Sequence, residues 1–455
     1  MKNSWLKPTL PIAAIFSFRM LGLFLLIPVF TAYASHFQAA TPALIGIALG
    51  SYGLSQGLLQ IPFGMLSDKF GRKPVICIGL ILFAIGSLVG ALSHSIYGII
   101  IARTLQGTGA IGSVLIALLA DLTSEEQRTK AMAVIGMSIG LSFSLAMVIS
   151  PLIITHYELP GIFYLTALFA ILGIMLLYLV IPSPAHNPFK KTSVIRTSVL
   201  KSIIKDTRLM PLNAGIFIQH AILTSTFYVV PLIIKQQNIS SSSHFYLPLI
   251  VGSFLSMVPF IIYAERKKRV KPVFLGAVLV TFISQCVLSF NAQNWPTLCA
   301  MMFFYFVAFN LLEATLPSLI SKQANTNHKG TAMGVYSSCQ FLGIFFGGFF
   351  AGFVFKQYGS AGIFSVNATL ACIWFLISMK IKPYHYNQTH PITYQGTLKN
   401  EPELINQLLA LPGINKAIVS PEKQTIFLSI NKENYQNESG EKRIDLHMHT
   451  YGQSD

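Results

Sequence analysis

The chain has 455 residues, of which 53% are apolar and only 11% are charged, and its formal net charge is +16. A soluble domain is typically about 45–50% apolar and about 25% charged, so this composition excludes a single soluble core and requires that much of the chain faces lipid. Cations in loops beside anionic lipid heads explain the positive charge. Because no basic face interleaved with aromatic residues lies outside the apolar segments, nucleic-acid binding is not predicted.

Twelve apolar runs are long enough to cross a bilayer, which takes about 20 residues for a helix. The first run is too long for the apolar core of a secretion signal and contains Arg19, so we predict that it is the first span. The spans are predicted at 8–32, 42–66, 74–92, 96–120, 130–154 and 161–181, and then at 211–234, 245–264, 272–290, 297–320, 331–354 and 361–379.

A polar gap from Pro182 to Met210 divides these runs into two sets of six. We therefore predict an all-α membrane protein with two six-helix halves and a small α+β domain at its C-terminal end. The predicted segments are an N-terminal half at 1–182, a linker at 183–210, a C-terminal half at 211–382, a second linker at 383–395 and the small domain at 396–455.

Lysine and arginine accumulate in alternate loops, which predicts the orientation because cations are retained on the cytoplasmic side. The segments predicted to lie inside are the loop with Arg72, the loop with Arg128, the linker and the run Arg266–Arg269. The predicted outside loops hold only Lys235 and Lys356. Both termini are therefore predicted to be cytoplasmic.

The tail after Lys382 is polar and has no segment able to span. Residues 401–411 have helical spacing, and 414–419, 425–430 and 443–449 have strand patterns, so a small cytoplasmic α+β domain is predicted. The five cysteines lie in apolar segments without metal-ligand spacing, so no disulfide or metal site is predicted.

The first predicted inside loop reads Gly64-Met-Leu-Ser-Asp68-Lys-Phe-Gly71-Arg72-Lys. It resembles the G-x-L-x-D-R-x-G-R-R/K loop between helices two and three of the major facilitator superfamily. Gly64 would allow close helix approach, and Gly71 the tight turn between spans.

The resemblance implies a conformational latch that stabilises the outward-facing state. In it Asp68 faces the start of helix eleven near Gly330, and Asp121 at the end of helix four holds Arg72. The equivalent loop of the second half, which begins with Glu265, looks like a decayed copy of the first.

Other segments resemble narrower groups of the superfamily. Arg103-Thr-Leu-Gln-Gly107 resembles the R-x-x-Q-G motif of helix four, whereas the antiporter motif of helix five is only partly present, at Gly136 and Gly140. Stretches of spans one, ten and eleven, together with the tail, resemble the bacterial YajR-like transporters of the drug/proton antiporter branch, which implies a ferredoxin-like cytoplasmic domain.

Glu313 is the only carboxylate well inside a predicted span, where low dielectric favours its protonated form. His220 titrates near neutrality, and Arg19 could supply a counter-charge. These residues and Arg103 are the predicted proton-coupling and cavity residues, since ionisable groups inside spans are usually functional. A site of this kind can exchange a proton for a cationic substrate.

The spans predict a secondary transporter, and the resemblance to the drug/proton antiporter branch implies that it lies in a bacterial inner membrane and exports small amphiphilic molecules against protons. No cofactor is predicted, and no nucleotide-binding loop or catalytic constellation indicates an enzyme. The predicted partners are the substrate, protons and the bilayer, with self-association or a regulatory protein as options for the tail. A proton symporter, a facilitator for a metabolite, and a sensor that signals through its C-terminal domain remain alternatives.

Overall fold

The computed structural model describes residues 5–123, 125–182, 197–237, 243–324, 329–381, 388–393, 405, 408–409, 414–420 and 425–430. Two compact units divide the chain at Lys382 and Pro383. The first unit contains the helices α1 Leu6–Phe24, α2 Phe30–Ala34, α3 Pro42–Phe70, α4 Arg72–Leu92, α5 Ile96–Thr108, α6 Gly112–Leu122, α7 Glu125–Leu179, α8 Thr197–Ile204, α9 Met210–Gln236, α10 Ser243–Arg266, α11 Val270–Asn291, α12 Trp295–Gln323 and α13 Lys329–Met379.

In the described residues, ten helical segments are long and apolar enough to cross a membrane. Two of them, α7 with 55 residues and α13 with 51, would be about 77–83 Å long if straight, more than twice the hydrocarbon thickness. Each contains one residue with a non-helical backbone, Glu158 (φ 53°) or Gly359 (φ 62°), where the chain turns back. Counted as two spans each, they give the twelve crossings that the apolar runs predict.

Local signals in the sequence explain where several helices begin and end. The Thr41 hydroxyl accepts the Leu44 N–H at 3.3 Å and caps α3, and the Asn294 side chain accepts the Thr297 N–H at 3.1 Å and caps α12. Gly71 has a φ of 93°, which favours glycine, and it makes the turn from α3 to α4.

The two halves are joined at one end of the bundle, which we call the closed end. Four described hydrogen bonds cross between the halves, and all four lie there, around the turn between α1 and α2. They run from Tyr246 Oη to Pro28 O (3.4 Å), Tyr228 Oη to Pro42 O (2.9 Å), Lys235 Nζ to Ala32 O (2.7 Å) and Thr31 Oγ1 to Phe227 O (3.4 Å).

Helices α3 and α13 pack backbone against backbone toward the same end. A β-carbon added at Gly46 would lie 2.4 Å from Gly348 O, and one added at Gly53 would lie 2.4 Å from Phe341 O. Only glycine allows this approach, so the small residues in both helices serve helix packing.

We call the opposite end, which carries the loop from Gly64 to Lys73, the open end, because no described hydrogen bond joins the halves there. Gly136 and Gly140 of α7, and Gly330 and Gly334 of α13, lie toward this end. A β-carbon added at any of them would meet no described atom within 4 Å. In the described part of the bundle, the hydrogen bonds between the halves are therefore concentrated at the closed end.

The second unit holds a three-stranded antiparallel sheet of β1 Gln388–Thr393, β2 Ile414–Ser420 and β3 Thr425–Ile430, in the order β1-β3-β2. Strands β2 and β3 lie where the sequence predicts them, whereas β1 lies inside the predicted linker 383–395, because it pairs with β3 along its length. This is the order of the first three strands of a ferredoxin-like domain. The predicted fourth strand at 443–449 lies outside the described residues, and the ferredoxin-like assignment stays a prediction.

Candidate functional site

Glu313 lies on α12, and its carboxylate is met by polar side chains from two other helices. Gln219 of α9 donates to Oε2 at 3.3 Å, and Gln340 of α13 donates to Oε1 at 3.3 Å. The ring Nε2 of His220 lies 3.8 Å from Oε2, and the Glu313 side chain is 29% exposed. A carboxylate that is both hydrogen-bonded and partly open can gain and lose a proton without unfolding its surroundings.

His220 is buried, and its contacts fix a neutral form of the ring. Its Nδ1 donates to Ile216 O at 3.3 Å, and its Nε2 lies 2.9 Å from the amide nitrogen of Gln340. An amide nitrogen only donates, so Nε2 must accept and carries no proton in this arrangement. The two N–H groups of Gln340 thus bridge the two titratable side chains that the sequence predicted.

Aromatic rings pack beside this cluster. Phe309 lies 5.9 Å from the His220 ring, centroid to centroid, and Phe143 of the N-terminal half lies 5.7 Å from Phe309. Phe306 lies 6.1 Å from Phe143 and 5.9 Å from Phe227. The rings join both halves and are buried, so they form an apolar contact between the halves next to a titratable group.

Arg19 lies in the N-terminal half and is 2% exposed. Its Nη2 donates to Gln56 Oε1, and Gln56 in turn donates to Gln60 Oε1 at 3.0 Å. These contacts tie Arg19 to α3, while Glu313 is held by α9 and α13, and the counter-charge role of Arg19 stays a prediction. The two residues belong to separate clusters in the two halves.

Arg103 forms a second polar cluster in the N-terminal half. Its Nη1 donates to Gln106 Oε1 at 3.1 Å, and Gln106 donates to Ser87 Oγ at 2.9 Å. The guanidinium carbon lies 4.9 Å from the centroid of the Tyr52 ring, a distance that allows a cation–π interaction. Arg103 is fully buried, so it is part of the interior of this half.

The predicted latch residues form a charged cluster at the open end. Arg72 donates to Asp68, to Ser67 Oγ at 2.6 Å and to Asp121 Oδ2 at 3.1 Å. Asp68 therefore pairs with Arg72 in this conformation, and the expected approach to the start of helix eleven stays a prediction. Gly64 approaches Ser113 Oγ, 3.5 Å from an added β-carbon, and Glu265 is exposed at the end of α10.

Three glutamines were not predicted from the sequence: Gln56 holds Arg19, and Gln219 and Gln340 hold Glu313. A signal was present, because a side-chain amide in a membrane-crossing helix is costly unless it is hydrogen-bonded. Spacing alone could not select their partners, which lie 27 to 94 residues away in the chain for those joined to Glu313.

The chain was compared with known proteins and structures. The family model described as Major Facilitator Superfamily matches residues 12–269 and 250–410. The inner membrane transport protein YajR of Escherichia coli (strain K12) is 41% identical over 431 residues, which cover 94% of each chain. The quinolone resistance protein NorA of Staphylococcus aureus (strain MRSA252) is 25% identical over 374 residues, or 79% of this chain and 93% of NorA.

Among solved structures, a D-xylose-proton symporter superposes with a TM-score of 0.65, covering 84% of this chain and 98% of the symporter. At 18% identity this likeness shows the fold alone. Proteins of the matched family are transporters of small molecules and not enzymes, and they use ion gradients without a cofactor. The two family matches, the relative at 41% identity and the helical fold agree, and this chain is a multi-pass membrane transporter of the major facilitator superfamily, similar to YajR.

Proposed function

We propose that this transporter is a proton-coupled exporter of small amphiphilic molecules in a bacterial inner membrane. The observation that carries the proposal is Glu313, a carboxylate within a membrane-crossing helix that is hydrogen-bonded, partly exposed and 3.8 Å from the ring of His220. Ionisable groups at such positions commonly mark proton paths. The inner-membrane location rests on the relative YajR, whose name gives it as an inner membrane protein.

Gln340 offers a physical link between proton binding and the contact of the two halves. When Glu313 is ionised, its Oε1 accepts a hydrogen bond from the Gln340 amide. When Oε1 is protonated, its O–H needs an acceptor, and the amide would turn to present its carbonyl oxygen. The next residue, Phe341, contacts Gly53 of the other half through its backbone oxygen. Proton binding would thus bias packing between α3 and α13, the contact that has to open when the halves rock.

Two features favour amphiphilic cargo and export. The aromatic rings of Phe143, Phe306 and Phe309 are buried between the halves close to the polar cluster, and they would offer an apolar wall to the cargo when the halves move apart. NorA, a relative over most of both chains, is named for quinolone resistance, which export of a drug can produce. Efflux is therefore the direction of transport that we propose.

A proton symporter is the second candidate, because helix five departs from the antiporter motif. Leu141-Ser-Phe-Ser follows Gly140 at the position where that motif continues with Gly-Pro. The direction in which protons move with the substrate separates the two functions.

We further propose that Asp68, Arg72 and Asp121 form a latch that fastens the open end when the halves close there. In the present conformation Arg72 is held between the two carboxylates. Closing would bring the start of α13 to Asp68, where the positive amino end of a helix attracts a carboxylate. Gly64 and Gly71 would allow the approach, and Glu265 would take the corresponding place in the second half.

The loop cations favour a bundle whose open end and both termini are cytoplasmic, so the present conformation would be inward-facing. We keep as proposals the segment boundaries 1–182, 183–210, 211–382, 383–395 and 396–455. Strand β1 lies within 383–395, the segment proposed as the second linker. We assign the C-terminal sheet a regulatory role, through self-association or a partner protein.

The test is proton movement in proteoliposomes that contain an internal pH dye, with a panel of lipophilic cations, amphiphilic carboxylates and neutral metabolites. Glu313→Gln removes the titratable carboxylate and keeps a side chain of similar size, and Glu158→Gln changes a carboxylate at the turn within α7 as the matched control. A substrate-triggered proton flux should persist in the control and be lost in Glu313→Gln.

Each outcome assigns the function differently. Protons that move opposite to the substrate support export by antiport, and protons that move with it support the symporter. Flux that survives in Glu313→Gln, or substrate uptake without a proton signal, would contradict coupling at this carboxylate.

A further inference from the structure

The fourth span is interrupted in the middle of the membrane-crossing segment Ile96–Leu122. Helix α5 ends at Thr108, and α6 begins at Gly112 with the bond from Leu115 N–H to Ile111 O at 2.9 Å. The first N–H groups of α6 have no partner within the helix, and a helix carries about half a positive elementary charge at this end. The break thus presents a positive end inside the bundle.

The guanidinium of Arg19 lies against this end. Its Nη1 is 3.7 Å from the position that a β-carbon on Gly112 would take, and Nη1 and Nε have no hydrogen-bond partner among the described residues. The side chain is 2% exposed, so these N–H groups are buried.

A third donor converges on the same place. Gln56 accepts from Arg19 and donates to Gln60 Oε1, which leaves the amide nitrogen of Gln60 free to donate elsewhere. That nitrogen lies 3.1 Å from the β-carbon position of Gly112. Because Gly112 has no side chain, none of its own atoms occupies the position that these donors approach.

The electrostatics of this place favour an anion. Arginine stays protonated in proteins, and burying its charge without a partner is strongly unfavourable. The described ion pairs join other residues, and Arg19 is in none of them. The nearby amino end of α6 and the buried Arg103, which shares Tyr52 of α3 as a neighbour, add further positive potential.

We propose that the gap between Arg19, Gln60 and the amino end of α6 binds a small anion, and that during transport this anion is the carboxylate of the cargo. A carboxylate matches the two parallel N–H groups of a guanidinium and accepts from backbone amides at a helix start. The C-terminal half would then handle the proton at Glu313, and the N-terminal half the negative group of the substrate. The role assigned to the anion rests on the proposed transport function, but its binding does not.

The test uses the full-length protein in detergent, in a buffer whose only anion is a large organic sulfonate. The melting temperature is measured against added benzoate, as the carboxylate probe, and against chloride, as the free-anion probe. Three variants accompany the wild type: Arg19→Gln, which removes the charge; Gly112→Ala, which adds a methyl group to the gap; and Arg208→Gln, a control at an exposed arginine paired with Asp206.

A ligand that binds only the folded state raises the melting temperature in a saturable way. We expect such a rise with benzoate for the wild type and Arg208→Gln. The apparent affinity for benzoate should fall at least about tenfold in Arg19→Gln, because a charge-assisted pair is lost. It should also be lower in Gly112→Ala than in the wild type. Without added anion, Arg19→Gln should melt no lower than the wild type, because an uncompensated buried charge has gone.

The outcomes separate anion binding from a structural role for Arg19. The proposal is overturned if Arg19→Gln has a lower melting temperature than the wild type at every anion concentration. It is also overturned if benzoate raises the melting temperatures of all four proteins equally, or raises none of them. If chloride raises the melting temperature in a saturable way and benzoate adds no further rise, the site binds a free anion, and the assignment to a carboxylate of the cargo is overturned. Should Arg19→Gln fail to fold, Gly112→Ala decides, and Glu313→Gln should keep the benzoate effect even if proton flux is absent.

Discussion

Substituting Gly46 by alanine should shift the protein away from the closed-end conformation. The added β-carbon would lie 2.4 Å from Gly348 O and 3.0 Å from Gly352 N, both backbone atoms that cannot rotate away. Close C···O contacts are about 3.3–3.6 Å, so helices α3 and α13 would have to separate by roughly 1 Å.

The size of the shift follows from the cost of overpacking. Inserting a methyl group into a well-packed contact typically costs about 1–3 kcal/mol. Since the contact exists only while this end is closed, the ratio of closed to open molecules should fall by about 5- to 150-fold. Gly334→Ala on α13 is the matched control, because its β-carbon would meet no described atom within 4 Å.

The distance between spin labels across the closed end reports the change. Labels on His36→Cys and Gln236→Cys, both exposed near this end, would be measured in a background without the five native cysteines. Gly46→Ala should add a longer distance that Gly334→Ala lacks. Identical distance distributions in the two variants would show that the α3–α13 contact does not hold this end closed, and the reasoning would fail.

Three further predictions concern other contacts. Tyr246→Phe removes the hydrogen bond to Pro28 O and should destabilise the closed conformation by about 0.5–1.5 kcal/mol, so the longer label distance should appear in a smaller fraction of molecules than in Gly46→Ala. An unchanged distance distribution would contradict this prediction. Gln340→Leu removes the amide that bridges the two titratable side chains, so proton-coupled flux in proteoliposomes should fall at least about tenfold, and an unaltered rate would exclude a coupling role. The hydrogen bonds from Arg208 hold the pKa of Asp206 below its ordinary value, so the carboxylate stabilises the fold at neutral pH and loses that effect as the pH falls through the lowered pKa. Asp206→Asn should therefore lower the free energy of unfolding at neutral pH, but by no more than about 1 kcal/mol, because Arg208 is 65% exposed. The difference in melting temperature between the variant and the wild type should narrow below about pH 4.

Much of the bundle could be predicted from the sequence, because crossing a membrane is a local requirement. Each span has to be an apolar helix of about 20 residues, which can be read without knowing any neighbour. The predicted run 42–66 lies within α3 Pro42–Phe70, and the turn at Gly71 falls where the loop motif indicates it. Glu313 and His220 also stand out locally, as ionisable residues in apolar segments, and the structure brings them to 3.8 Å.

The tertiary structure decided which side chains meet, because that depends on how helices distant in the chain pack. The sequence suggested Arg19 as a counter-charge near Glu313. In the packed helices Arg19 is hydrogen-bonded to Gln56, and Glu313 is hydrogen-bonded to Gln219 and Gln340. The break at the start of α6 was hidden for a similar reason, since hydropathy averages over a span and does not register a few residues of changed backbone. What the sequence by itself determined is therefore the number and character of the spans. The site within them, and the end at which the halves are closed, were decided by contacts between spans.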